Sequence, residues 1–306
     1  HELERFKTEV NLSEYAAAQG YCLDRRESSR NSAVMRHPNG DKIIISRSQQ
    51  GGAWVYFSVR DSRDNGTVID FIQNRMGGGL GKVRAELREW AGTSHLATCE
   101  NTFAKEIVPV TRDRAKVLRI FERALLCTSL PYLTSRGIGP EILELPRFAG
   151  CVKVDSRRNA LFPHYDREGL CGFEIKNKGF TGFSSGGIKG LWCSRTRFTD
   201  TQLVLAESGI DALSYHVLYG DDDTRYMSTG GELNPQQPDL LRSAMERMQP
   251  GAVVVLAFDN DAGGEKLVGE VRAVAPPDRE LCRVLPDSTF GAKDWNDVLK
   301  RYRGLG

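Results

Sequence analysis

Thr201-Gln-Leu-Val-Leu-Ala-Glu-Ser-Gly-Ile-Asp211 decides how this chain folds. Leu203 to Ala206 is a short apolar run that ends on an acid, Glu207. A small pair, Ser208-Gly209, then leads into a helical pattern from Ile210. Apolar runs of this length, bounded by turn residues, read as buried strands. A carboxylate at the C-terminal end of such a strand stands where open α/β sheets bind ligands. The event repeats at Val253-Val-Val-Leu-Ala-Phe258, which ends on Asp259-Asn260-Asp261 and turns through Gly263-Gly264 into another helix. Acids at neighbouring strand ends point to a site rather than to scaffold.

From Thr201 to the C-terminus, strand and helix patterns alternate. Strands are expected at Leu203–Ala206, Arg225–Ser228, Val253–Phe258 and Leu281–Leu285. Helices are expected around Ile210–Leu218, Gln237–Met248, Glu265–Val274 and Trp295–Tyr302. This alternation predicts a parallel sheet with helices on its faces. Gly230-Gly231, after the second strand, permits close approach of backbone to a ligand. Gly291-Ala-Lys-Asp-Trp-Asn-Asp297 adds a third acidic group beside Lys293. A D-x-D pair alone is usually a loop or a helix cap; three acidic groups after successive elements are more specific. Asp259, Asp261 and Asp294, with Glu207, have the oxygen donors that Mg²⁺ prefers. Crowded in this way they should titrate high without a cation. Asp211, four residues after Glu207, reads equally as a helix cap.

Upstream, Asn159 to Phe173 reads as a hairpin turning at Asp166–Gly169, followed by the basic strand Glu174-Ile-Lys-Asn-Lys178. Residues 151–200 carry nine Lys/Arg against five Asp/Glu, whereas the whole chain has a net charge of only +2. A basic middle beside an acidic site suits a polyanion held near a metal, and charge alone fits an ordinary solvated surface as well. His164 and His216 have no reading beyond core or surface positions. Asp113 to Cys127 has helical periodicity through Val117, Leu118, Phe121, Leu125 and Leu126. Before it, Thr93 to Arg112 is a polar linker.

The N-terminal texture differs. Val10 to Gly20 reads as a short helix. Ala33-Val-Met, Lys42-Ile-Ile-Ile-Ser46 and Trp54-Val-Tyr-Phe-Ser58, separated by Pro38-Asn39-Gly40 and Gly51-Gly52, read as an antiparallel meander. Thr67 caps a helix running to Gln73, and Leu80 to Trp90 forms another. Trp54, Tyr56 and Phe57 could stack bases, but a sheet core is the simpler role.

A length of 306 residues suits two or three domains. The expected limits are 1–95, a linker and helix at 96–129, a basic subdomain at 130–200, and the acidic α/β domain at 201–306. No apolar run approaches the ~20 residues of a membrane span, and no signal-peptide pattern precedes the first helix. Seven cysteines without a C-x-x-C pair argue for reduced thiols in a cytoplasm.

These motifs resemble a known family. Glu207-Ser-Gly209-Ile-Asp211, Asp259-Asn-Asp261-Ala-Gly263 and Gly291-Ala-Lys293-Asp294-Trp-Asn296 are similar to the three motifs of the Toprim domain, in the form seen in DnaG-type primases. The glycine of the first motif is displaced by one, and Asn296 stands where primases usually carry a second Asp. Pro131-Tyr-Leu-Thr-Ser-Arg-Gly-Ile138, the Phe162-Pro163 hairpin and Lys189-Gly190 resemble the primase catalytic core. Residues 1–95 resemble the primase zinc-ribbon module in the degenerate form of Toprim proteins of mobile elements such as plasmids. Ser32, His37 and Ser58 stand at its ligand positions, so no zinc is expected.

The resemblance implies a Toprim, Rossmann-like parallel sheet, a basic mixed α/β subdomain, and a small N-terminal β module that recognises nucleic acid. It implies Mg²⁺ or Mn²⁺ on Glu207, Asp259, Asp261 and Asp294, supported by Gly209, Asp211 and Asn296. Arg158, Lys176, Lys178, Lys189 and Lys293 would contact nucleotide or nucleic acid. The implied reaction is synthesis of short RNA primers from nucleoside triphosphates on single-stranded DNA by two-metal phosphoryl transfer, with a replicative helicase or relaxase as partner. A Toprim nuclease and a non-catalytic nucleic-acid-binding accessory remain open alternatives.

Overall fold

The computed structural model describes residues 2–48, 52–61, 64–92, 107, 111–287 and 291–305. The chain splits into two compact units, His1–Thr111 and Arg112–Gly306. Residues 93–106 and 108–110 of the expected linker lie outside the described residues, as do Cys99 and Gly51.

The first unit begins with α1 (Glu2–Glu9) and α2 (Leu12–Ala18). The Asn11 side chain caps α2 by accepting from the Ser13 and Glu14 amides. The charged α1, with Phe6 as its one buried residue, leaves almost no apolar period to read. Strands β1 (Cys22–Leu23), β2 (Ser32–Arg36), β3 (Lys42–Arg47), β4 (Trp54–Ser58) and β5 (Asn65–Thr67) pair antiparallel in that order. The expected three-stranded meander thus carries two more strands, too short to show alternation. Trp54 and Tyr56 point into the core with Ile43 and Ile45, while Phe57 is 46% exposed. Then come α3 (Val68–Met76) and α4 (Leu80–Gly92). Thr67 caps α3 in a reciprocal capping box with Asp70. Arg75, on α3, ion-pairs with Asp41 and Asp64 at 2.9 Å each and lies 4.2 Å from the Phe71 ring centroid. One guanidinium therefore ties the β2–β3 turn to the loop before β5. Ser32, His37 and Ser58 serve local hydrogen bonds: Ser32 Oγ with Ser29 Oγ, His37 Nδ1 from the Asn39 amide, and Ser58 Oγ from the Arg60 amide.

The second unit opens with α5 (Arg114–Glu122) and β6 (Leu125–Leu126). This corrects the expected helix from Asp113 to Cys127. Val117 and Phe121 fill the buried face of α5, but Leu125 and Leu126 pair with Val154 and Lys153 and stay 72% and 62% exposed. Strand pairing overrides the helical period there. Short helices α6 (Pro131–Thr134) and α7 (Pro140–Leu143) follow. Strands β7 (Lys153–Val154), β8 (Ala160–Asp166), β9 (Gly169–Asn177) and β10 (Phe180–Phe183) join β6 in an antiparallel sheet of order β10-β9-β8-β7-β6. The β8–β9 hairpin turns at Arg167-Glu168 and has a bulge between His164 and Tyr165.

The third sheet contains β11 (Trp192–Cys193), β12 (Gln202–Ala206), β13 (Thr224–Ser228), β14 (Val253–Ala257) and β15 (Glu280–Arg283), in the order β11-β13-β12-β14-β15. Strands β12 to β15 pair in parallel, as the alternation requires; β11 adds an antiparallel edge that two residues could not announce. Its helices are α8 (Gly209–Tyr219), α9 (Gln237–Glu246), α10 (Ala262–Val274) and α11 (Trp295–Tyr302). Val204, Ala206, Val255 and Ala257 face one core with Phe162, Trp192 and Trp295; Leu203, Leu205, Val254 and Leu256 face a second with Leu241 and Leu267. Burial on both faces explains why these strands read as unbroken apolar runs. Among the described residues no helix is long and apolar enough to cross a membrane.

Candidate active site

Strand β12 lies between β13 and β14, with Ala206 level with Ala257. The chain leaves β12 toward β13 on one side and later returns to β14 on the other. The crevice at such a reversal is where open α/β sheets bind ligands. Glu207 follows β12, and Asp259 lies two residues beyond β14, so both carboxylates stand at this crevice. The Asn260 amide donates to the Lys293 carbonyl at 2.9 Å, drawing the third acidic loop to the second. Trp295 Nε1 donates to the Ala257 carbonyl at 2.9 Å and pins the start of α11 against the end of β14. Asp294 caps α11 by accepting from the Asp297 amide. Asp261 caps α10 by accepting from the Gly264 amide at 2.9 Å.

Two glycines explain why the loops come so close. A Cβ on Gly264 would stand 2.0 Å from the Asp259 carbonyl oxygen, so Gly264, rather than Gly263, admits the start of α10. A Cβ on Gly209 would stand 2.4 Å from the Phe162 ring. We predict that Gly209→Ala destabilises the unit by ~1–3 kcal/mol and also weakens divalent-cation binding, because α8 must shift and carry Glu207 with it. Calorimetric melting with a cation titration checks this; an unchanged melting temperature counts against it.

Electrostatically the centre is overcrowded. Asp211 is buried; Ser208 Oγ donates to its Oδ2 at 2.5 Å and the Asn296 amide to its Oδ1 at 3.3 Å. Burial, then repulsion from Asp294, still pushes its carboxyl up to about 7. Asp259 is pushed to about 9 by burial and by Asp211, Glu207, Asp294 and Asp261. Burial also raises Glu207, helped by Asp261 and opposed by Lys176, and it raises Asp294. The Oδ1 atom of Asp259 is buried without a hydrogen-bond partner. An orphaned carboxylate oxygen among like charges fits a hard, oxygen-seeking divalent cation. Among the described residues no three such side chains already surround one point, so a cation would have to draw them together.

Glu207 also borders a cleft of about 590 Å³, lined further by Glu174, Lys176, Phe183, Lys189 and Gly230. Lys189 donates to the carbonyls of Gly230 at 3.2 Å and Glu232 at 2.6 Å, and burial lowers its ammonium pKa. Of the five cations expected at the site, the structure therefore brings Lys176 and Lys189 to the cleft. Arg158 and Lys178 are exposed at the far ends of the hairpin strands, and Lys293 is exposed on its loop; none of the three lines the cleft.

Asn296 is no free ligand. Its amide donates to the Arg136 carbonyl at 2.8 Å and Ser214 Oγ at 2.9 Å, and its oxygen accepts from Arg136 Nη1 at 2.9 Å.

Two groups of residues that shape the site escaped the sequence reading. His164, fully buried, lies 2.8 Å from the Gly190 carbonyl through Nδ1 and 3.2 Å from Glu174 Oε1 through Nε2. The Glu174-x-Lys176 alternation, which puts both side chains on one face of β9, was the available signal. Arg283 donates to the carbonyls of Leu256, Phe258 and Asp259 and so holds the end of β14; nothing in its local sequence announces that role.

Fold and site together define an open α/β domain with an acidic centre at its topological reversal, beside a cleft with two lysines. Residues 204–299 match the family model described as Toprim-like, so this part of the chain is a Toprim-like domain. Residues 131–200 match a model described as a protein of unknown function, DUF3991. No curated protein matches the chain. Among solved structures, the primase fragment of the bacteriophage T7 primase-helicase protein is similar at 19% identity over 60% of this chain and 73% of that one, with a TM-score of 0.39. A T7 primase domain bound to an RNA/DNA hybrid and dTTP, in complex with the lagging-strand DNA polymerase, is similar at 19% identity over 57% of this chain and 85% of that one, with a TM-score of 0.38. The RNA polymerase domain of Mycobacterium tuberculosis primase DnaG is similar at 15% identity over 56% of this chain and 62% of that one, with a TM-score of 0.29.

Proposed function

We propose that this protein is a divalent-cation-dependent, primase-like nucleotidyltransferase that makes short RNA primers on single-stranded DNA from nucleoside triphosphates. The observation that carries this reading is the acidic centre opening, through Glu207, onto a cleft that holds Lys176 and Lys189. Glu207, Asp259, Asp261 and Asp294 would hold Mg²⁺ or Mn²⁺. Such a cation, when bound, lowers the barrier to in-line displacement at phosphorus by neutralising developing charge. The chain's own residues do the rest. Lys176 and Lys189 hold the phosphates, which positions the α-phosphate for attack. Glu207, its carboxyl raised by burial, would take the proton from the attacking 3′-hydroxyl as its oxygen bonds to the α-phosphorus and pyrophosphate leaves. The N-terminal unit would recognise single strands, and a replicative helicase or relaxase would be the working partner.

The test incubates the protein with single-stranded DNA, labelled ribonucleotides and Mg²⁺ or Mn²⁺. Labelled oligoribonucleotides that vanish in Asp259→Ala support priming. Shortened DNA in the absence of nucleotides would replace the reading with a nuclease. For the N-terminal unit we predict no stoichiometric zinc by elemental analysis, and single-strand affinity that falls when residues 1–95 are removed. Unchanged affinity would argue against recognition by this unit.

A further inference from the structure

The ionisable side chains lining the cleft are two lysines and two glutamates: Lys176, Lys189, Glu174 and Glu207. The cleft therefore carries no net positive charge of its own, and the acidic centre beyond Glu207 makes it less hospitable still to a polyanion. Glu174 is the unexpected member. It lies almost fully buried in a basic strand, with one oxygen 3.2 Å from His164 Nε2 and the other 2.9 Å from Lys176 Nζ. Burial alone would raise its carboxyl, but His164 and Lys176 outweigh burial and hold it at about 2, so it stays ionised. His164 is itself fixed through the Gly190 carbonyl, which also accepts from Gln237 Nε2 at 2.8 Å. Gln237 donates as well to the Thr229 carbonyl at 2.7 Å, which fastens Glu174 across the cleft to the loop after β13.

We propose that Glu174 is a built-in counter-anion that occupies Lys176 and makes phosphate binding in this cleft depend on a divalent cation. With Lys176 already paired, an incoming polyphosphate meets a neutral cleft backed by carboxylates, and like-charge repulsion opposes it. A cation on the acidic centre reverses that balance. The two ligands then bind synergistically, and linkage requires each to raise the affinity of the other by the same factor. Glu174 is thus a specificity-determining residue: it admits phosphates only once the acidic centre is loaded. This inference rests on the polyphosphate reading of the cleft proposed above.

Inorganic triphosphate is the probe, titrated calorimetrically into the full chain in EDTA or in excess Mg²⁺. The parent chain should bind it in Mg²⁺ and at least roughly tenfold more weakly in EDTA, the order expected for one unlike or like charge at a half-buried site. Glu174→Gln should bind in EDTA about tenfold more tightly than the parent, Glu174→Asp should keep the cation dependence, and Glu174→Gln with Lys176→Met should lose the gain. Equal parental affinity in EDTA and Mg²⁺ overturns the proposal without any variant. Parental binding in Mg²⁺ with no gain in a cooperatively melting Glu174→Gln overturns the role of Glu174. No parental binding under either condition removes the polyphosphate reading itself.

Discussion

Asp259→Asn should melt several degrees above the parent chain at pH 8 in EDTA, and the stabilisation by Mg²⁺ that the proposed cation site predicts for the parent should be lost in it. The Asp259 carboxyl sits at about 9 in the folded chain, against 3.8 for an unperturbed Asp, because of burial and four neighbouring acids. A carboxyl raised on folding costs nothing below its unfolded value and becomes progressively destabilising as pH rises from there toward its folded value. The cation-free parent should therefore lose stability through this centre between roughly pH 4 and pH 9. Asparagine removes the charge and keeps the shape. A gain of about 1–2 kcal/mol, at roughly 2–4 °C per kcal/mol for a unit of this size, is the expected scale. The primer synthesis proposed above should fall about a hundredfold or more, since on that reading the cation would lose a principal oxygen. Stability and function would then move in opposite directions, as at other strained sites. Coincident melting of parent and variant at pH 8 in EDTA would show that Asp259 is not strained.

Asn296→Asp should lower stability by about 2–4 kcal/mol and leave cation affinity no higher. The family resemblance suggests the reverse, since an acid at this position would add a metal ligand. The geometry decides between them. Asn296 is 1% exposed, and its amide nitrogen serves two acceptors, the Arg136 carbonyl and Ser214 Oγ. Ser214 cannot become the donor without giving up its hydrogen bond to the Ile210 carbonyl at 2.8 Å. An aspartate there would face two oxygens and the buried Asp211, and its stronger pair with Arg136 would offset only part of that. Melting curves and Mn²⁺ titrations of the purified variant provide the check. Tighter Mn²⁺ binding at an unchanged melting temperature would mean that the side chain reaches the cation after all.

These cases show where local sequence carries enough information. The strands from Leu203 and Val253 were legible because burial on both faces demands continuous apolar runs; the one from Arg225 followed from its place in the strand–helix alternation. The positions of Glu207 and Asp259 just past β12 and β14 were legible because buried strands show as apolar runs with clear ends, whereas Asp294, read beside Lys293, also proves to cap α11. The Thr67 cap of α3 was legible because capping is a short-range hydrogen-bond pattern. By contrast, Leu125 and Leu126 followed a helical period and became an edge strand, since the decisive partners, Val154 and Lys153, lie far along the chain.

Sequence by itself therefore determined the alternating α/β unit, the order of its strands along the chain and the carboxylates at their ends, all set by hydrophobic period and local turn chemistry. Only the tertiary structure decided which of five candidate cations reach the cleft, that Glu174 ion-pairs with one of them, Lys176, while His164 holds its other oxygen, and that Asn296 is a clamp. Those outcomes depend on distances between residues remote in sequence, and on how far burial strengthens the charges placed there.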